Sequence, residues 1–222
     1  MESVYLNRHA AGQALAKHLS AYRGDNNTLI LALPRGGVPV AYEVAIALHL
    51  PLDIFVVRKL GVPGDPELAM GALASQGEPI FNEEMIHSSR ISSDAIKAVI
   101  EKEKKEIKRR ENTYREGKPL LNVLSKTVIL IDDGIATGAT MRAAIDALRK
   151  LKASKIVVAV PVADQSIVPV FSSLADEFIC PLQPTHLQAV GQWYEHFDQT
   201  EDEEVHTLLR KWHALIGQND VK

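Results

Sequence analysis

Two adjacent carboxylates, Asp132 and Asp133, stand at the end of an apolar run and just ahead of a loop of small, hydroxyl-bearing residues. The whole segment, residues 127–141, reads TVILIDDGIATGATM. Its run from Val128 to Ile131 has the unbroken aliphatic character of a strand buried on both faces of a parallel sheet. After the loop, Met141, Ala144, Ile145, Leu148 and Leu151 repeat at helical spacing. Small residues let a backbone approach a ligand closely. The amides of a helix start, with the hydroxyls of Thr137 and Thr140, suit a phosphate. Carboxylates repel that phosphate, but they accept hydrogen bonds from sugar hydroxyls or share a bridging cation. Phosphate, sugar diol and Mg²⁺ within one loop describe a phosphorylated ribose.

A second apolar strand ends in Pro34-Arg35-Gly36-Gly37, with Pro39 placed for the next helix start. Two glycines expose backbone amides to an anion, and Arg35 adds a charged fork for phosphate oxygens. Alone, such a turn serves equally well as a plain strand-to-helix loop.

The segment 127–141 resembles the binding signature for phosphoribosyl diphosphate (PRPP) of the type I phosphoribosyltransferases, over about 13 positions. Gly134 departs from the pattern, where an aliphatic residue is usual. The resemblance implies a 5′-phosphate held by Ala136, Thr137, Gly138, Ala139 and Thr140. It places the diphosphate at Arg35, Gly36 and Gly37. Asp132 and Asp133 would take the ribose hydroxyls and Mg²⁺, the ion held directly or through water. Both loops follow strands, and ligands of open α/β sheets lie at the carboxyl ends of the strands.

A third stretch, VRKLGVPGDPELAMGA at residues 57–72, is similar to the flexible loop of adenine phosphoribosyltransferases. Arg58 and Lys59 end a strand in this reading, and a mobile Gly/Pro-rich loop follows before residues 70–74 resume a strand-like pattern. The likeness stops at Val62, where a second lysine is usual. Arg58 and Lys59 join Arg35 as cations for the departing diphosphate, and Glu67 is a candidate for proton transfer. An exposed loop glutamate is its equal alternative. Ala136 stands where phosphoribosyltransferases for 6-oxopurines often carry an aspartate. That disfavours hypoxanthine and guanine and tilts the acceptor toward adenine-type chemistry.

The elements that must position these residues alternate between strand and helix patterns, the mark of an α/β fold. The expectation is a parallel sheet flanked by helices, with a small hood and an inserted charged helix. Strands are expected at 28–33, 52–57, 127–131, 155–160 and 176–180. Helices are expected near 8–22, 38–49, 141–151 and 164–174. The charged helix, 93–115, carries a thin stripe of Ile96, Ile100, Ile107 and Tyr114. Glu101–Lys105, Glu106–Arg110 and Glu111–Arg115 are spaced to pair along it. Its basic cluster from Lys104 to Arg110 reads as a solvated face, because glutamates are interspersed. A final helix opens on a Thr200–Glu203 capping box and presents Val205, Leu208, Leu209, Trp212, Leu215 and Ile216 on one face.

The 222 residues suffice for one domain, 1–222, with a core of about 28–180 and a hood from 1–25 and 181–222. A net charge of −3 argues against bulk nucleic-acid binding. The single cysteine, Cys180, suits a reducing compartment, and no stretch reaches membrane-spanning length, so a cytoplasmic protein is expected. In the hood, His186, Trp193, Tyr194 and Phe197 are candidates to line a base pocket, against a purely structural packing of the rings.

The resemblance implies transfer of the 5-phosphoribosyl group from PRPP to a nitrogenous base, with diphosphate released, Mg²⁺ as cofactor and a homodimer as the assembly. The rival readings are a PRPP- or nucleotide-binding regulator without turnover and a PRPP-directed hydrolase. Dinucleotide, P-loop, zinc-helix and nucleophile-elbow motifs are all missing from the sequence.

Overall fold

The computed structural model describes residues 4–75, 77–89 and 91–219, with the side chains of residues 66, 67 and 216–219 outside the description. In chain order the elements are α1 (Arg8–His18), β1 (Thr28–Ala32), α2 (Gly37–Leu48), β2 (Leu52–Ile54), β3 (Val57–Val62), β4 (Asp65–Ala74) and β5 (Ile80–Phe81). Then come α3 (Glu83–Ser88), α4 (Ser93–Arg115), β6 (Thr127–Ile131), α5 (Ala139–Lys150), β7 (Lys155–Ala159), α6 (Val168–Leu174), β8 (Glu177–Ile179) and α7 (Asp202–Asn219).

Five strands form a parallel sheet in the order β2-β1-β6-β7-β8. Successive side chains leave opposite faces of a strand, so each apolar run supplies two cores. Ile30, Ala32, Ile129 and Ile131 pack with residues of α1, α2, α4 and α7 on one face. Leu29, Leu31, Val128 and Leu130 pack with α5 and α6 on the other. This is the α/β architecture expected, with the helices divided between the two faces.

Residues 57–74 differ from the expectation. The chain leaves the parallel sheet after Ile54, and β3 pairs antiparallel with β4, which pairs with β5 in a separate three-stranded sheet. The stretch that reads as a Gly/Pro-rich loop is a hairpin, and Arg58 and Lys59 lie within a strand. Leu60, Met70 and Leu73 are buried, so their packing holds strands that glycine and proline would otherwise weaken. The register shifts on either side of Gly61 absorb the irregularity.

The charged helix spans the expected residues. The Ser92 side chain accepts from the Ala95 N–H at its start, and Ile107 and Tyr114 are buried. Glu106 pairs with both Arg109 and Arg110, and Glu111 with Arg115, whereas Glu101 reaches Lys104 rather than Lys105. At its end Arg115 turns inward. Its Nε lies 2.8 Å from Asp53 Oδ1 and it donates to the Ile54 carbonyl at 2.6 Å, pinning α4 to the edge strand β2. Helix α7 opens at Asp202, one residue beyond where a Thr200–Glu203 box would start it. Val205, Leu208, Leu209 and Trp212 are buried in the core shared with α2 and α4, and Leu215 is exposed. Ile216 lies outside the described side chains. No described helix is long and apolar enough to cross a membrane.

Candidate active site

The sheet order locates a crevice. From β1 the chain runs through α2 to β2 on one side, and from β6 it runs through α5 to β7 on the other. The connections diverge between the neighbouring strands β1 and β6, and ligands of open parallel sheets bind at such a divergence, beyond the carboxyl ends. Both candidate anion loops fall there.

They meet on the acidic pair. A Cβ built on Gly37 would stand 2.9 Å from the Asp132 Cα and 3.2 Å from its Oδ1. One built on Gly36 would stand 2.1 Å from Asp133 Oδ2. The two glycines are therefore required by close approach: a side chain at Gly36 would enter the Asp133 carboxylate, and one at Gly37 would meet the Ile131 carbonyl and the Asp132 backbone. The Pro34–Arg35 peptide is cis. Arg35, half-buried, extends toward the start of α7, where Glu201 and Asp202 lie at 3.4 and 3.5 Å.

The two carboxylates have different surroundings. Arg8, the first residue of α1, places its Nε 2.9 Å from Asp133 Oδ2, and both side chains are mostly buried. The same guanidinium donates to the Asp198 carbonyl at 2.7 Å and lies 3.8 Å from the centre of the Phe197 ring. The Tyr194 hydroxyl donates to the Asp133 carbonyl at 2.5 Å. Asp132 accepts the Asp133 N–H at 2.9 Å. Burial, reinforced by the charge of Asp133, pushes the Asp132 carboxyl well above the ordinary carboxylate range. Burial also raises Asp133, and Arg8 opposes it.

A cavity of about 210 Å³ opens beside Asp132, lined by Gly134, Ala136, Thr137, Gly138, Thr140 and Val190 among others. The first bond within α5, from the Arg142 N–H to the Gly138 carbonyl, leaves the amides ahead of it without a partner inside the helix. Gly138 caps the helix at a φ of 75°, a backbone that favours glycine. The departure at Gly134 also has a physical reason. A Cβ there would lie 2.6 Å from a Val190 methyl and 2.9 Å from a Val162 methyl, so side chains from elsewhere fill the usual aliphatic position.

The hairpin divides its two cations. Arg58 pairs with Glu103 of α4 at 2.8 Å. Lys59, on the opposite face of β3, lines a second cavity of about 290 Å³ between the hairpin and α5, which shares Ala139 and Thr140 with the first. The Glu67 side chain lies outside the described residues. His186 is exposed. Tyr194 is buried against Tyr5 and Phe197, and Trp193 is half-buried, its carbonyl accepting the Tyr5 N–H. Tyr194 and Phe197 back Asp133 and its partner Arg8, while Val190 lines the cavity from the hood. Sequence reasoning missed Arg8 and Val190. Neither sits in a motif, and Arg8 is 125 positions from its partner. Among the described residues, no group of three or more His, Cys, Asp or Glu side chains could hold a metal ion.

The similarities to known proteins extend over most of the chain. The family model of the phosphoribosyl transferase domain matches residues 3–186. Proteins of two Mycobacterium tuberculosis strains, provisionally named as phosphoribosyl transferases, are 42% identical over 215 residues. The match covers 97% of this chain and 48% of each relative, so the chain spans about half their length. A crystal structure of a Thermus thermophilus protein superposes with a TM-score of 0.81 at 34% identity, covering 94% of this chain and 99% of that one. A protein of Aquifex aeolicus shares the fold at a TM-score of 0.51 and 10% identity, covering 83% of this chain and 78% of its own.

Proposed function

This chain belongs to the phosphoribosyl transferase domain family, and from that premise we propose that it transfers the 5-phosphoribosyl group of PRPP to a nitrogenous base, releasing diphosphate with the help of Mg²⁺. One observation carries the reading: the Gly36-Gly37 turn after β1 closes on the acidic pair, and the 136–140 loop after the adjacent strand β6 shares a cavity with Asp132. One ligand with a phosphate at each end and a diol between them would satisfy all three parts.

Breaking the bond between the ribose C1 and the diphosphate builds positive charge on the sugar ring, as in glycoside cleavage. Asp132 and Asp133 lend negative charge beside it, and Asp132, on the cavity wall, accepts hydrogen bonds from the ribose hydroxyls. Residues 136–140 hold the 5′-phosphate through their amides and the Thr137 and Thr140 hydroxyls. Arg35 exchanges its loose contacts with Glu201 and Asp202 for diphosphate oxygens, beside the amides of Gly36 and Gly37. Lys59 supplies a further cation from the hairpin. Arg58, paired with Glu103, steadies that hairpin against α4.

The donor set fits Mg²⁺, which is held by one or two carboxylates plus substrate phosphates and water rather than by an all-protein cage. Asp132, with Asp133 behind it, would hold the ion, which when bound neutralises charge on the leaving diphosphate. Ala136 offers the base no carboxylate, which disfavours 6-oxopurines and leaves adenine, orotate or another aromatic acceptor.

The test is diphosphate release from PRPP and Mg²⁺ with a panel of adenine, hypoxanthine, guanine, xanthine, orotate, uracil and nicotinate, with Asp132→Asn/Asp133→Asn as the blank. Release that needs one acceptor and vanishes in the variant is expected. Release without any acceptor would make the chain a hydrolase. PRPP binding with no release across the panel would favour a regulator.

A further inference from the structure

Arg8 belongs to no motif, yet its guanidinium is held on three sides. It meets Asp133 at 2.9 Å, the Asp198 carbonyl at 2.7 Å and the Phe197 ring at 3.8 Å. Asp133 is boxed in turn. Arg8 holds its carboxylate, Tyr194 holds its carbonyl, and Gly36 presses against the carboxylate from the third side. Asp132 lines the cavity beside the phosphate loop instead. The acidic pair is therefore unequal, and a side chain 125 positions away makes it so.

Resting on the transferase reading above, we propose that Arg8 is a positioning residue for PRPP. By holding the Asp133 carboxylate against the Gly36 turn, it fixes the backbone from which Asp132 faces the ribose. Arg8 offsets the charge of Asp133 and leaves Asp132 as the carboxyl that faces the cavity. A planar fork can hold Asp133 through Nε and Asp198 through a terminal nitrogen together, and an ammonium cannot reproduce both bonds. The rival account makes Arg8 a tie between α1 and the segment around Phe197, with no bearing on the acids.

A double-mutant cycle on the full chain separates them: wild type, Arg8→Gln, Asp133→Asn and the double variant, with Arg8→Lys alongside. KM for PRPP and kcat are measured with the acceptor found active, PRPP binding is measured by calorimetry, and Tm is recorded for each variant. Arg8→Gln is expected to raise the KM for PRPP and the calorimetric Kd roughly tenfold, coupling of the size contacting residues show. It should leave the KM for the acceptor within about twofold. In the Asp133→Asn background the same change should alter PRPP affinity by less than about twofold, because the charge it served is gone. Arg8→Lys should recover part of the loss, and it carries the comparison if Arg8→Gln does not fold.

An equal loss in both backgrounds would overturn the proposal and leave Arg8 as a tie or a direct phosphate contact. So would an Arg8→Gln variant with wild-type affinity, or an Arg8→Lys variant no better than Arg8→Gln. A wild type that does not bind PRPP would instead remove the transferase reading, and this inference with it, before any variant is compared.

Discussion

Substituting Gly36 by alanine would test whether the turn after β1 and the acidic pair work as one unit. The new methyl carbon would stand 2.1 Å from Asp133 Oδ2, 2.8 Å from its Cγ and 3.4 Å from Arg8 Nε. Carbon atoms in contact prefer about 3.5–4.0 Å, so the carboxylate or the turn must retreat by roughly 1 Å. The carboxylate is a poor candidate to yield, because Arg8 holds it and its side chain is mostly buried. Overpacking of this kind costs about 1–3 kcal/mol. For a chain of this size, ~2 kcal/mol corresponds to a fall in Tm of roughly 4–8 °C. If the turn retreats, the amides proposed for diphosphate move with it, and a loss of ~1.4 kcal/mol in binding is tenfold in affinity. The assay pairs thermal unfolding with PRPP titration by calorimetry, in wild type, Gly36→Ala, Asp133→Ala and the double variant. The clash should disappear where the carboxylate is gone, so Gly36→Ala should cost less than about 1 kcal/mol in the Asp133→Ala background. Equal costs in both backgrounds, or no cost in either, would refute the reasoning.

Asp132→Asn should raise Tm while abolishing turnover. The folded protein holds this carboxyl above its ordinary range, so its ionised form is penalised at neutral pH and the penalty fades as pH falls through the raised value. The stabilisation should therefore shrink on acidification, read from unfolding curves at several pH values. Asp53→Ala should cost about 3 kcal/mol in urea unfolding, because it strands the buried Arg115 and the N–H groups of Ile54 and Leu121. Glu111, 2.9 Å from Arg115, keeps the loss at the lower end for a broken buried pair. Glu106 is drawn down to about 2 by its bonds to Arg109 and Arg110, so its stabilising share is present above the ordinary glutamate value and lost as pH falls toward 2. Glu106→Gln should remove that part of the acid dependence, followed as unfolding free energy against pH.

The strand, acidic pair, loop and helix at residues 127–151 were legible because each part is local: an aliphatic run, a break of small residues and a helical repeat. The bounds of α4 were legible for the same reason, with Ser92 at one end and alternating charge between. The hairpin at residues 57–74 was legible only at 70–74, since its glycines and prolines mimic a loop and its strands depend on burial of Leu60, Met70 and Leu73 by distant elements. The division of labour between Asp132 and Asp133 is likewise invisible in the sequence. It is made by Arg8, Tyr194 and Val190, none of which neighbours the signature along the chain. Gly134 was readable as a departure but not as half of a steric exchange with Val190.

The segment before α1 is bonded directly to the segment before α7. Tyr5 donates to the Trp193 carbonyl, and its own carbonyl accepts from Glu195, while the Leu6 carbonyl accepts from His196. During synthesis the first of these residues leave the ribosome ahead of β1 and their partners only after β8. Arg8 reaches its full set of contacts at that same late moment, because Phe197 and Asp198 lie in the same late stretch. A nascent chain can thus assemble its sheet and both anion loops while the acidic pair still lacks its backing. The brace on Asp133 would then form after the strands that carry those loops, when the segment between β8 and α7 joins the segment before α1.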